Sequence, residues 1–348
     1  MPADSPVVED PAVSARRMAD LIGGYQASAA IGAFVRVGAA DALAEGPATS
    51  AELATRIGAD EAALSRLLEA TLAMGLFTVT DDGCYSLTAL GQLLRGDVPG
   101  SMRRYAIVAT EEWRWYAYGH LDQTLRTGEP GFVAAHGSRL WDYLPGHPEA
   151  RASFEGSLAR IGASRDQVIA SSVDFSRLRC LVDVGGGQGG LLRAVLPANP
   201  QLRGILFDLP DVVERGRETL QAAGLAERCE AIAGDFREGV PVGGDCYVLS
   251  WILHDWDDGT AQTILRRCRE AMVKGASVLV VPESGQPEAE ALRQLVRQAD
   301  LEMLAVVGGR ERTAAEFRRL LTGAGFSVAG ISPLPGGLPF SVIEGVVE

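Results

Sequence analysis

One stretch of this chain carries an imidazole followed by three acids: YVLSWILHDWDD, residues 247–258. His254 stands directly after an apolar run that reads as a strand, Cys246–Trp251, whereas His120, His136 and His147 follow no such run. A neutral imidazole at the carboxyl edge of a sheet can take the proton of a hydroxyl held within hydrogen-bond reach. A second stretch, LVDVGGGQGG at 181–190, runs from an apolar strand into Gly185, Gly186 and Gly187, and a helix opens after Gly189. Glycines there permit a tight turn and let a ligand approach the backbone. Asp208 ends the next strand in GILFDLP, where a carboxylate can accept from both hydroxyls of a ribose. Asp235 and Phe236 follow the third strand in AGDF, an acceptor and an apolar side chain placed to hold an adenine ring.

The glycine loop alone does not choose its ligand, because Gly185-x-Gly187-x-x-Gly190 also fits the dinucleotide fingerprint. Asp183, just before the glycines, is unusual for a dehydrogenase. Asp255, Asp257 and Asp258 raise the question of a hard cation, which takes several oxygen ligands. A metal-free reading is preferred: Asp257 or Asp258 caps the following helix, and Asp255 fixes local backbone.

The elements that must position these residues change character near residue 178. After it, strand candidates Cys180–Val184, Gly204–Phe207, Glu230–Ala233, Cys246–Trp251, Ser277–Val281, Ser327–Ile331 and Phe340–Val347 alternate with helices, among them Leu191–Leu196, Asp211–Ala223, Thr260–Met272, Glu288–Val306 and Thr313–Ala324. That alternation predicts a parallel sheet covered on both faces, with ligands beyond the carboxyl ends of its strands. Before residue 178 the pattern is mostly helical. Residues 1–12 read as a disordered lead and Met18–Leu43 as a helical stretch. Two capped helices, from Ala51 and after Asp60, precede a hairpin around Asp82-Gly83, a winged-helix pattern. The domains expected are 13–100, a helical linker and pocket region at 101–177, and 178–348.

The chain has 348 residues and a net charge of −13, which argues against phosphate-backbone partners. No apolar run reaches the roughly 20 residues needed to span a bilayer. The five scattered cysteines read as reduced thiols, so a cytoplasmic protein is expected. The helix after Asp60 has Arg66 as its one base beside Glu61 and Glu69, a poor recognition helix for DNA.

LVDVGGGQG, FDLP, GDF, WILHDWDD and GGRERTAAEF, in this order, resemble the caffeic-acid-type O-methyltransferases and their bacterial relatives in aromatic antibiotic pathways. The resemblance covers residues 15–348 and implies an α/β, class I methyltransferase fold: a Rossmann-like, seven-stranded, mostly parallel sheet whose last strand is antiparallel, preceded by a winged-helix dimerisation domain. It implies S-adenosyl-L-methionine as cofactor, S-adenosyl-L-homocysteine as product, no metal, a homodimer, and a small aromatic acceptor whose hydroxyl gives its proton to His254. Glu311 in GGRERT and Glu283 in VVPES match the acids that flank that histidine. Asp183, Gly185, Gly187, Asp208, Leu209, Asp235, Phe236, Ser250 and Trp251 form the implied cofactor site, although plant members carry lysine where Ser250 stands. Phe154, Leu158 and Met303 match acceptor-pocket positions. Trp115 and Trp141 are further pocket candidates, and Arg160 is placed to meet an acidic group on the acceptor. Three alternatives stay open: a DNA-binding regulator, a nicotinamide-dependent oxidoreductase, and a family member with hydroxylase- or decarboxylase-like chemistry.

Overall fold

A computed structural model of the chain describes residues 10–282, 290–335 and 339–348. Glu283 and the side chain of Arg160 lie outside the described residues. The chain divides into two compact units, one up to Trp115 and one from Tyr116 on.

In the first unit, Asp10 caps a helix, Pro11–Ile22, that opens inside the stretch read as a disordered lead. The single helical stretch expected over Met18–Leu43 is instead broken into Pro11–Ile22, Gly24–Arg36 and Ala39–Ala44. Gly38 adopts φ +76°, a left-handed conformation that ends one helix and starts the next. Thr49 and Glu52 form a capping box on Ser50–Ile57, and Asp60 caps Glu61–Leu72. Strands β1 (Phe77–Val79) and β2 (Tyr85–Leu87) pair antiparallel, and Ala48 bridges to Tyr85. Phe34, Leu53, Leu64, Leu68 and Phe77 are buried together beneath them. Arg103–Ala109 belongs to this unit and not to a separate linker, because it packs on Gly24–Arg36. Gly32 admits Thr110 so closely that a Cβ would fall 2.3 Å from the Thr110 hydroxyl.

The second unit carries a seven-stranded sheet. Its strands are β3 (Cys180–Val184), β4 (Arg203–Asp208), β5 (Cys229–Ala233), β6 (Cys246–Ser250), β7 (Ser277–Val281), β8 (Ser327–Pro333) and β9 (Ser341–Val346), in the order β5-β4-β3-β6-β7-β9-β8. β9 runs antiparallel to both neighbours and the other pairs are parallel. Both faces are covered at the centre of the sheet, so β3, β6 and β7 are buried nearly throughout rather than alternating. Val182, Tyr247, Leu249 and Val280 face Ile264, Leu265, Phe317 and Leu321. Leu181, Leu206, Val248 and Leu279 face Leu192, Val195, Ile169 and Phe175. The last two come from the helix Pro148–Ser172 and the turn after it, so residues expected in a linker are part of this core. Strand order reverses between β3 and β6, which opens a crevice at their carboxyl ends.

Most boundaries shift by one or two residues, and two differences bear on the site. β6 stops at Ser250, because Trp251 adopts φ +59°, the one left-handed non-glycine residue among those described. The helix expected up to Val306 becomes a π-helical turn at Met303–Val307.

Candidate active site

The glycine loop follows β3, with Gly185 at φ +69° and Gly187 at φ +58°. A Cβ on Gly185 would lie 2.4 Å from Ile252 Cδ1 and 3.3 Å from Phe236, whereas nothing approaches Gly187. Gly185 is thus demanded by packing, and Gly187 by its conformation. Asp208 accepts from the Gly187 N–H at 2.8 Å and the Leu209 N–H at 2.7 Å, one on each oxygen. A carboxylate has about four acceptor positions, so two remain. Burial pushes the Asp208 carboxyl upward, and the two N–H groups oppose this. Asp235 is already gripped by Arg237, whose backbone N–H and Nε donate at 2.8 and 3.0 Å. These bonds hold its carboxyl below the usual range. Burial pushes Asp183 up to about 8, with Asp166 adding to the shift and Arg165 opposing it.

The loop after β6 holds His254 in a turn, Leu253–Asp255, where it is buried. Its Nδ1 lies 2.6 Å from Glu311 Oε1. The carboxylate accepts, so Nδ1 carries the hydrogen and Nε2 is left as the basic nitrogen. Asp255, expected to fix backbone, instead faces Nε2 at 3.5 Å. Burial pushes its carboxyl up to about 7, while the imidazole lowers it and Glu311 raises it.

A second loop is zipped onto this turn. Arg310 N–H donates to His254 O at 2.8 Å, and Glu311 N–H donates to Asp300 at 2.8 Å. The buried Arg312 donates to Leu253 O and Trp256 O, each at 2.6 Å, and to Asp258 at 2.8 Å. Gly309 makes the contact possible, since a Cβ there would fall 1.9 Å from His254 O. Asp257 accepts from the Thr260 N–H at 2.9 Å and caps Asp258–Ala271. All three acids of HDWDD therefore have protein partners.

The pocket candidates are placed unevenly. Trp141 meets Phe154 edge-on at 5.7 Å and stacks on Trp256 at 6.5 Å, and Trp256 meets Phe236 at 5.9 Å. Two acceptor candidates thus join the adenine candidate through Trp256, a residue the sequence reading did not select. Met303 is buried on the π turn, which packs on the turn of His254. Leu158 is exposed, and Trp115 ends the first unit, half-buried. Trp256, Asp300, Gly309 and Arg312 were all missed. For the last two, the signal available was the basic, glycine-led run GGRER next to Glu311.

Residues 118–327 match the O-methyltransferase domain family, and residues 19–97 match the O-methyltransferase dimerisation domain. The chain belongs to the O-methyltransferase family. It is similar to the phenazine O-methyltransferase of Lysobacter antibioticus, at 37% identity over 93% of this chain and 94% of that one. Among solved structures it is similar to mitomycin 7-O-methyltransferase, with TM-score 0.90, 35% identity, and 97% and 98% of the two chains covered. It is also similar to an O-methyltransferase of neocarzinostatin biosynthesis solved with S-adenosylmethionine and 2-hydroxy-5-methyl naphthoic acid, with TM-score 0.83, 34% identity, and 92% and 96% covered. The methyltransferase is therefore a class I, S-adenosylmethionine-dependent enzyme, and its first unit pairs with a second copy of the chain. The comparisons lend no support to the regulator, oxidoreductase or non-methylating alternatives.

The residues of this O-methyltransferase suit that cofactor. Asp208 keeps two acceptor positions for a ribose diol. Ser250 Oγ and Trp251 Nε1, at the end of β6, are buried without a hydrogen-bond partner. A buried polar group left unpaired costs about 1–3 kcal/mol, so these atoms are set to meet a polar ligand. Among the described residues, no helix is long and apolar enough to cross a membrane.

Proposed function

We propose that this O-methyltransferase acts on a hydroxyl of a small aromatic acceptor, and that His254 Nε2 takes its proton. The observation that carries the reading is the 2.6 Å bond from His254 Nδ1 to Glu311, which fixes tautomer and ring orientation together. A phenol, with a pKa near 10, is only about one part in a thousand ionised at neutral pH. Bound S-adenosylmethionine supplies a methyl on a sulfonium whose sulfur leaves neutral, so no acid is required for departure. Once His254 is protonated, Glu311 and Asp255 flank the imidazolium from opposite sides.

In this reading Asp208 holds the ribose, with Leu209 beside it, and Phe236 packs on the adenine with Asp235 nearby. Asp183, Gly185, Gly187, Ser250 and Trp251 surround the rest of the cofactor. Trp141, Phe154 and Met303 line the acceptor side, with Leu158 as an outer candidate. A cytoplasmic setting fits the five free thiols.

The test is S-adenosylhomocysteine formation from a panel of hydroxylated naphthoates, phenazines and quinones. His254→Ala should bind cofactor as the wild type does and lose about 10²–10⁴-fold in turnover. Preserved turnover in that variant rules out the base assignment, and no product with any hydroxylated aromatic rules out the acceptor class.

A further inference from the structure

We propose that Arg165 binds the carboxylate at the amino-acid end of the cofactor, across the crevice between β3 and β6. The inference rests on the cofactor placement given above. With adenosine held beyond β5 and β4, and the methyl facing His254 beyond β6, the ligand runs along the sheet edge. Its amino-acid end then reaches the crevice where strand order reverses.

Arg165 and Asp166 stand there on the helix Pro148–Ser172. The Arg165 guanidinium lies 4.6 Å over the ring of Trp251, the residue after β6. Its Nε and Nη2 donate to Asp166 Oδ1 at 3.2 and 2.9 Å. Asp166 Oδ2 comes within 2.4 Å of where a Gly190 Cβ would stand, at the far end of the glycine loop. One ion pair therefore touches both walls of the crevice. Its side chains are only 12% and 8% exposed, too shielded for an ordinary surface bridge.

Asp166 occupies one edge of the guanidinium, and Nη1 makes no hydrogen bond among the described residues. A free edge is what a carboxylate needs, because arginine pairs with planar anions through parallel N–H donors. The stacking on Trp251 fixes the plane of the group. Arg151, another cation of the same helix, is committed to Glu155 at 2.8 Å and Asp211 at 3.0 Å. Ser250 brings no charge. Arg165 is thus a cation of this helix with one edge left for a ligand, while Asp166 is placed for the α-ammonium.

The experiment is a titration of wild type, Arg165→Gln and Arg165→Lys with S-adenosylmethionine and with decarboxylated S-adenosylmethionine, read by calorimetry. Wild type should bind the decarboxylated ligand about ten-fold or more weakly than the intact one. In Arg165→Gln that preference should shrink to near unity, and Arg165→Lys should recover part of it. The proposal is overturned if wild type does not discriminate, or if Arg165→Gln weakens both ligands equally and leaves their ratio intact. If Arg165→Gln does not fold, the wild-type ratio and the lysine variant decide. Wild type binding neither ligand would remove the cofactor placement itself, and this assignment with it.

Discussion

The two loops that meet at the carboxyl edge of the sheet are built in opposite ways. The loop after β3 is shaped by backbone: glycines at positive φ and a carboxylate fed by two N–H groups. The loop after β6 is shaped by side chains that reach from a distant segment: Arg310, Glu311 and Arg312 each bond to the turn of His254 or to residues beside it. The first leaves acceptor positions on Asp208 for a ligand, whereas the second holds His254 through bonds made inside the protein. Binding is thus left to be completed by cofactor, whereas the base is held ready before any ligand arrives.

This contrast can be broken by mutations that mix the two roles. The largest effect is expected for Gly309→Ala, whose Cβ would collide with His254 O. Turnover should fall by about as much as in His254→Ala, on the order of 10²–10⁴-fold, while calorimetric affinity for S-adenosylhomocysteine stays within a few-fold. A matching loss of cofactor affinity would show that the two loops are not independent. Glu311→Gln keeps a partner for Nδ1 but removes the charge that stabilises the imidazolium. We expect turnover to fall by about 10–100-fold with little change in KM for cofactor, measured in steady state.

Gly185→Ala should do the reverse. Overpacking against Ile252 and Phe236 costs about 1–3 kcal/mol, equivalent to roughly 5–150-fold in cofactor affinity if the strain is relieved at the loop. Turnover at saturating cofactor should change less than affinity. The smallest effect concerns Asp183. Its folded-state pKa is raised to about 8, so the folded chain holds a proton that the unfolded chain has released. Stability therefore falls as pH rises from about 4 to about 8. Asp183→Asn lacks this dependence, and its Tm relative to wild type should climb across the same interval in thermal melts. A constant difference in Tm would mean that Asp183 is ionised in the folded protein at neutral pH.

Much of this was legible in the sequence where a local pattern sets the answer. β3 and β7 have the bounds that their apolar runs gave, because both faces of the sheet are covered and the runs end at Gly185 and Pro282. Thr49 and Asp60 cap as their types require. What escaped depends on contacts between segments far apart in the chain. Asp255 looked like a backbone fixer because HDWDD alone does not show that its carboxyl turns back to the imidazole. Arg312 and Gly309 are ordinary residues in a loop until His254 is brought beside them. Trp251 looked like the last residue of a strand, since its left-handed conformation has no glycine to announce it. Arg165 lay in a helix whose charged residues look like a solvated face.

The π-helical turn at Met303–Val307 holds one residue more per turn than the α-helix that leads into it. Asp300, upstream, anchors the Glu311 loop, whereas Met303 belongs to the widened turn. Losing a single residue there would rewind the turn to ordinary helix and rotate the side chains beyond it by about 100° relative to Asp300. Because Gly309, Glu311 and Arg312 follow this turn directly, a one-residue insertion or deletion in it would displace the segment that holds His254 along with Met303.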